Sequence, residues 1–269
     1  MGILGGAAWT ERFRSSASSS LPRPRLLLVP EFTELEWDRI RPQLEEWAEV
    51  ASYDPPGIGN EPRAERLDRR AIVDRGLEEL DRRGWDRCFL ATDSWGIPSA
   101  LRLAISRREA VLGVTLGHAK LSHRSDGERP PVHGAVYEAL TELIRTDHEA
   151  FIRHGVAQAT GGSIGEDLAE RMIERFPRDL LVDAWEAITR DDSDIGALIA
   201  QLECPLLFAK HVGCLASTPE GFDDAAAAFP HAKTAAVEDA ALSSVEFAEA
   251  LRRFCEEVST SVNGNDRRG

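Results

Sequence analysis

The sequence is poor in lysine and cysteine, and each shortage closes a line of chemistry. In 269 residues the lysines are Lys120, Lys210 and Lys233, so a Schiff-base nucleophile has few candidates; Lys210, at the end of an apolar run, is the one to consider. The four cysteines, Cys88, Cys204, Cys214 and Cys255, are scattered with no C-x-x-C pair. That suggests neither a zinc site nor a disulfide framework, and it fits a reducing cytoplasm. Positive charge is also short. A formal net charge of -14 leaves no basic face for nucleic acid, and an anionic membrane surface would be repelled. The stretch "MGILGGAAWTERFRSSASSS" is too short and too Gly-rich for a membrane span and lacks a basic region ahead of its apolar patch. His123, His133, His148 and His154 match no metal spacing such as His-Glu-x-x-His, so no metal and no cofactor is expected.

What is present is an alternation. "RLLLVP" predicts a buried strand, and Leu35, Ile40, Leu44 and Trp47 in "TELEWDRIRPQLEEWAEV" follow the spacing of one amphipathic helix. "EVASYD" predicts the next strand, stopped by the turn cluster "PPGIGNEP". "AIVDRGLEELDRRG" is a helix ended by Gly84, "DRCFLATD" a strand, "GIPSALRLAISRRE" a helix and "AVLGVTLG" a strand. Strands alternating with helices imply right-handed βαβ units and a mostly parallel central sheet flanked by helices. From 121 to 202 the strands stop and helical patterns follow one another; the array then resumes with "PLLFAKH", a helix, "KTAAVE" and "SVEFAEALRRFCEEV". The expected organisation is an α/β core of 1–120 and 203–269 with an all-helical lid inserted at 121–202.

The chemistry centres on "FLATDSWGIPSALRLA", where a strand turns into a helix with Ser94 at the tip. Such a turn lifts a serine hydroxyl out of the backbone and needs small neighbours two positions away. Gly96 meets that need, while Thr92 stands where a glycine is usual. Asp93 is expected to point to solvent or cap a local amide, and Trp95 to line a pocket or pack beneath the lid.

Four stretches in order, "LLLVPEF" followed by Trp37, "SYDPPGIGNE", "DSWG" and "FAEALRRF", resemble landmarks of the α/β-hydrolase superfamily over residues 25–254. The resemblance implies Ser94 as nucleophile and the backbone amides of Phe32 and Trp95 as donors to the oxyanion. It also implies an acid after "PLLFA" and a histidine after the last strand. The first of these turns has no carboxylate (Lys210 to Cys214), and Leu242 falls where the histidine would be. A relocated base would come from His118 or His211, which end neighbouring strands, with Glu238 or Asp239 as a conceivable acid. Two functions stay open. One is a serine hydrolase, esterase-like, acting on a small acyl substrate; the other is an inactive homologue that binds a small apolar ligand or a protein partner in the lid pocket. A homodimer is left open.

Overall fold

The apolar runs become strands β1 (Arg25–Leu28), β2 (Glu49–Ser52), β3 (Cys88–Asp93), β4 (Val111–Gly117), β5 (Leu206–His211) and β6 (Lys233–Val237). A computed structural model describes residues 23–65, 67–117, 131–159, 165–190, 193–211, 219–237 and 244–266. Within them the strands form one sheet in the order β2-β1-β3-β4-β5-β6, and every neighbouring pair is parallel. Strand order reverses between β1 and β3. In open parallel sheets the crevice outside the strand ends at such a point is where ligands are bound.

Both faces of the sheet are covered, which is why the strands are continuous apolar runs. On one face Leu26, Leu28, Phe89 and Ala91 meet α1 (Arg41–Glu45) and α10 (Val245–Asp266) through Leu44, Phe247, Leu251 and Phe254. On the other, Leu27, Leu90 and Val114 meet α2 (Arg69–Arg83) and α3 (Ile97–Ser106). Asp68 caps the start of α2, and Gly84 ends it in the left-handed conformation at φ 63. A further helix, α9 (Pro219–Ala228), precedes β6.

Between β4 and β5 the described residues form α4 (Pro131–Thr146), α5 (His148–Ala159), α6 (Gly165–Arg175), α7 (Arg178–Arg190) and α8 (Ile195–Ile199). Their apolar positions, among them Ile152, Leu181 and Trp185, and Phe176 between α6 and α7, join the same buried cluster as α2 and α3. None of the described helices is long and apolar enough to cross a membrane.

The single helix expected from Leu35 to Trp47 is not formed. A 3-10 turn spans Glu34–Trp37, and α1 starts afresh at Arg41 with Pro42 in its first turn. Proline has no N–H to give and its ring clashes with the carbonyl four residues back, so a continuous helix is blocked there. Leu35, Ile40 and Leu44 are nevertheless buried as their spacing predicts.

The chain leaving β1 passes close to the end of β3 and the turn that follows it. Thr92 Oγ1 donates to the Val29 carbonyl at 3.1 Å, so the residue in place of the expected glycine ties the two strands together. A Cβ on Gly96 would overlap that Thr92 Oγ1 and lie 3.0 Å from the Pro30 carbonyl oxygen. We predict that Gly96→Ala lowers unfolding free energy by about 1–3 kcal/mol, the usual effect of overpacking. In a Thr92→Ala background denaturant titration should show a smaller loss, because the nearer obstacle is gone; equal losses in both backgrounds would refute the contact.

Candidate active site

Ser94 is half-buried at the end of β3, at the switch in strand order. Its φ is +40, the one positive value at a non-glycine among the described residues. Asp93 before it is extended (φ -135, ψ 157) and Gly96 after it is already helical (φ -73, ψ -18). A side chain in the left-handed region costs about 1–2 kcal/mol and persists only when the surroundings enforce it. Here the strand, the 3-10 turn Ser94–Gly96 and α3 follow without a spacer, and the Pro30 carbonyl presses on Gly96.

The turn is braced from beneath and covered by aromatic rings. Buried Arg69, at the start of α2, donates from Nη1 to the Trp95 carbonyl at 2.6 Å and to Ser99 Oγ at 3.3 Å. The Trp95 ring meets Trp185 of α7 edge-on, with centroids 5.8 Å apart, and Trp185 in turn meets Phe151 at 5.3 Å. Trp185 Nε1 donates to Thr141 Oγ1 at 2.9 Å, which fixes its ring. Phe32 packs edge-on against Phe176 at 6.4 Å.

Beside Ser94 the chain leaving β1 curls around one carboxyl group. Glu36 Oε1 accepts from the amides of Phe32 at 2.7 Å and Thr33 at 3.1 Å, and Oε2 accepts from Glu31 at 2.9 Å. Thr33 and Glu36 form a capping box that starts the 3-10 turn. Loss of water around the Glu36 carboxyl pushes its pKa from 4.5 up to about 7, against the pull of the three amides and with the nearby Asp93 charge adding to the rise. Asp93 itself is buried and so does not point to solvent, one of the two placements expected of it.

A second carboxylate knots three segments together. Asp54, buried after β2, accepts from Thr33 Oγ1 at 2.7 Å and from the Glu34 amide at 2.9 Å, and it also pairs with Arg175 of α6. One helical turn earlier Arg171 pairs with Asp38. Gly59, at φ 58, carries the loop after Asp54 past Arg175, where a Cβ would come 2.8 Å from the guanidinium Nε. Two arginines on one face of α6 thus grip the segment that also shapes the Ser94 turn.

By sequence the chain matches no protein-family model and no curated protein. Its structure is similar to that of a hydrolase from Oleispira antarctica (TM-score 0.71, 14% identity, 87% of this chain and 91% of that one). It is also similar to a thermophilic esterase from Thermogutta terrifontis (TM-score 0.70, 20% identity, 87% and 90%). A third likeness is to the enol-lactonase from Burkholderia xenovorans (TM-score 0.63, 19% identity, 88% and 91%). The chain has the α/β-hydrolase fold.

Within that fold the sequence-predicted residues divide into three groups. Ser94 and Trp95 lie at the turn. The Phe32 amide, expected to meet an oxyanion, instead donates to Glu36; the capping box draws it there. His118, Cys214, Glu238, Asp239 and Leu242 lie outside the described residues, and of His211 only the backbone, closing β5, is described. Sheet order sets the ends of β3, β4 and β5 side by side, so the end of β5, closed by His211, falls on the same edge as Ser94, and His118 follows in sequence the last residue of β4. Lys210 pairs with Asp223 at 3.2 Å. Among the described residues no group of three His, Cys, Asp or Glu is placed to hold a metal ion.

Sequence reasoning passed over Glu36 and Arg69. The first carries a signal, Thr33-x-x-Glu36, the pattern of a capping box; Arg69 carries none, because its partner is a backbone carbonyl 26 positions away. An open groove of about 810 Å3 between α2, α3, α7 and α8 is lined by Leu67, Arg69, Val73, Arg102 and Asp183 among others. Ser94 does not line it, although Arg69, which braces the turn, does.

The raised Glu36 pKa has a measurable consequence. The folded chain holds a proton on this group between about pH 4.5 and about 7, where the unfolded chain has released it. Its contribution to stability is therefore complete below that window and is lost as pH rises through about 7. The unfolding free energy of the wild type minus that of Glu36→Gln should fall across this window and level off above it. A difference that rises with pH would mean that the three amide bonds outweigh desolvation.

Proposed function

We propose that the protein is a serine hydrolase of esterase type that acts on a small acyl substrate through Ser94, with a base taken from an unusual position. The observation that carries this reading is the strained Ser94 backbone, φ +40 at a strand-to-helix turn beside the switch in strand order. Such strain at a serine is costly without a use, and activity as hydrolase, esterase or lactonase is what the names of the similar structures state of those proteins.

In this reading Ser94 Oγ attacks the acyl carbon while its proton passes to an imidazole. The bond to the alcohol breaks as that proton is handed to the leaving oxygen, and water then releases the acid by the same two steps. His118 and His211 are the candidate bases, since they follow or close the strands next in order after β3. The Trp95 amide is the nearer oxyanion donor, being the residue after the serine.

A second reading is an inactive homologue that binds a small apolar ligand or a protein partner. It is favoured by one specific observation, the Phe32 amide already bonded to Glu36 at 2.7 Å.

A fluorophosphonate probe separates the two. At pH 8 it should add once to the protein, at Ser94, as read by mass spectrometry, and Ser94→Ala should abolish the adduct. Replacing the true base, His118 or His211, by alanine should slow labelling by ~10²-fold or more. Absence of any adduct after prolonged exposure, together with thermal stabilisation by a ligand that is not turned over, would establish the second reading instead.

A further inference from the structure

We infer that Glu36 is a built-in competitor for the oxyanion site: its carboxylate occupies the Phe32 amide and must leave before that amide can meet an anion formed at Ser94. The effect on rate rests on the esterase reading, whereas the contact itself does not.

Three geometric facts carry the inference. An amide has one hydrogen to give, and that of Phe32 is spent on Glu36 Oε1 in the shortest of the three bonds, 2.7 Å against 2.9 and 3.1 Å. The acceptor belongs to a carboxyl group, so the ionised form makes charge-assisted bonds stronger than a neutral acceptor would. The competitor is also fixed in place, because Glu36 is the third residue of the 3-10 turn that Thr33 caps, and Thr33 is held to buried Asp54 at 2.7 Å.

The contact is displaceable as well. Buried Asp93, adjoining Ser94, repels the Glu36 carboxylate, and Oε1 divides its acceptance between the Phe32 and Thr33 amides. The amides of Glu31, Phe32 and Thr33 together form a small anion-binding nest, filled by the chain's own side chain. A substrate whose developing oxyanion is to use Phe32 has to compete with it. One missing oxyanion donor lowers turnover by about 10²–10³-fold, so the occupied nest holds the Ser94 centre in a low-activity state.

The test uses the full chain at pH 8 with two variants, Glu36→Gln and Glu36→Ala, each first checked for a cooperative unfolding transition. Two readouts are taken: amide hydrogen exchange at Phe32, and the rate of Ser94 labelling by a fluorophosphonate. Both variants should exchange faster at Phe32 by at least ~10-fold and label faster by at least ~10-fold, since part or all of a donor worth 10²–10³ is released. If Phe32 exchange accelerates but neither wild type nor variants ever react, self-occupancy stands and the esterase reading falls. If Phe32 exchange is unchanged, or if wild type labels and the variants do so no faster, the inference is overturned. Should both variants fail to fold, the wild type decides by nuclear magnetic resonance. With phenylalanine nitrogen labelled, the Phe32 amide proton must show the strong downfield shift of a short bond to a carboxylate; an ordinary solvent-exposed shift overturns it.

Discussion

Everything at the candidate site depends on how closely the chain leaving β1 passes the turn that follows β3. The Thr92 hydroxyl bonds to the Val29 carbonyl, and the Pro30 carbonyl oxygen lies 3.0 Å from where a Cβ on Gly96 would be. With both flanks held, the residue between Asp93 and Trp95 has little choice of conformation, and Ser94 takes a left-handed one. The strain is local, but its source is a contact between segments more than sixty positions apart.

That approach also gathers acidic groups at one edge of the sheet. Asp54, Asp93 and Glu36 all sit near the ends of β1, β2 and β3, and a chain of net charge -14 offers no surplus of base to neutralise them. Asp54 and Glu36 are handled differently. Asp54 takes a hydroxyl, an amide and a guanidinium; Glu36 takes three amides. Amide donors cost the protein nothing in charge, yet every amide committed to a side chain is withdrawn from a ligand. At Phe32 that commitment collides with the oxyanion role proposed for the same amide, and the two readings of function divide over it.

The helical block between β4 and β5 is tied into the same edge. Trp185 covers Trp95, Phe176 covers Phe32, and Arg171 and Arg175 grip Asp38 and Asp54. Most of these pairs are partly open to solvent, so their individual strength is modest. Their importance lies in location, since each links α6, α7 or the residues between them to the segments that shape the serine turn.

Much of the architecture was legible in residue order alone. Continuous apolar runs such as Leu26–Leu28 and Phe89–Ala91 separated by amphipathic stretches permit little besides a parallel sheet covered on both faces, because period and length are local properties. The need for a small residue at 96 followed from the strand-turn-helix pattern in the same way. What sequence could not decide was who meets whom. Pro42 divided a helix that apolar spacing alone joins, Arg69 found a carbonyl that no side-chain pattern advertises, and Glu36 turned back onto the very amide expected to serve an oxyanion. Local geometry is written in neighbouring residues, whereas the ownership of a single backbone N–H is settled only when the folded chain brings competing acceptors within reach of it.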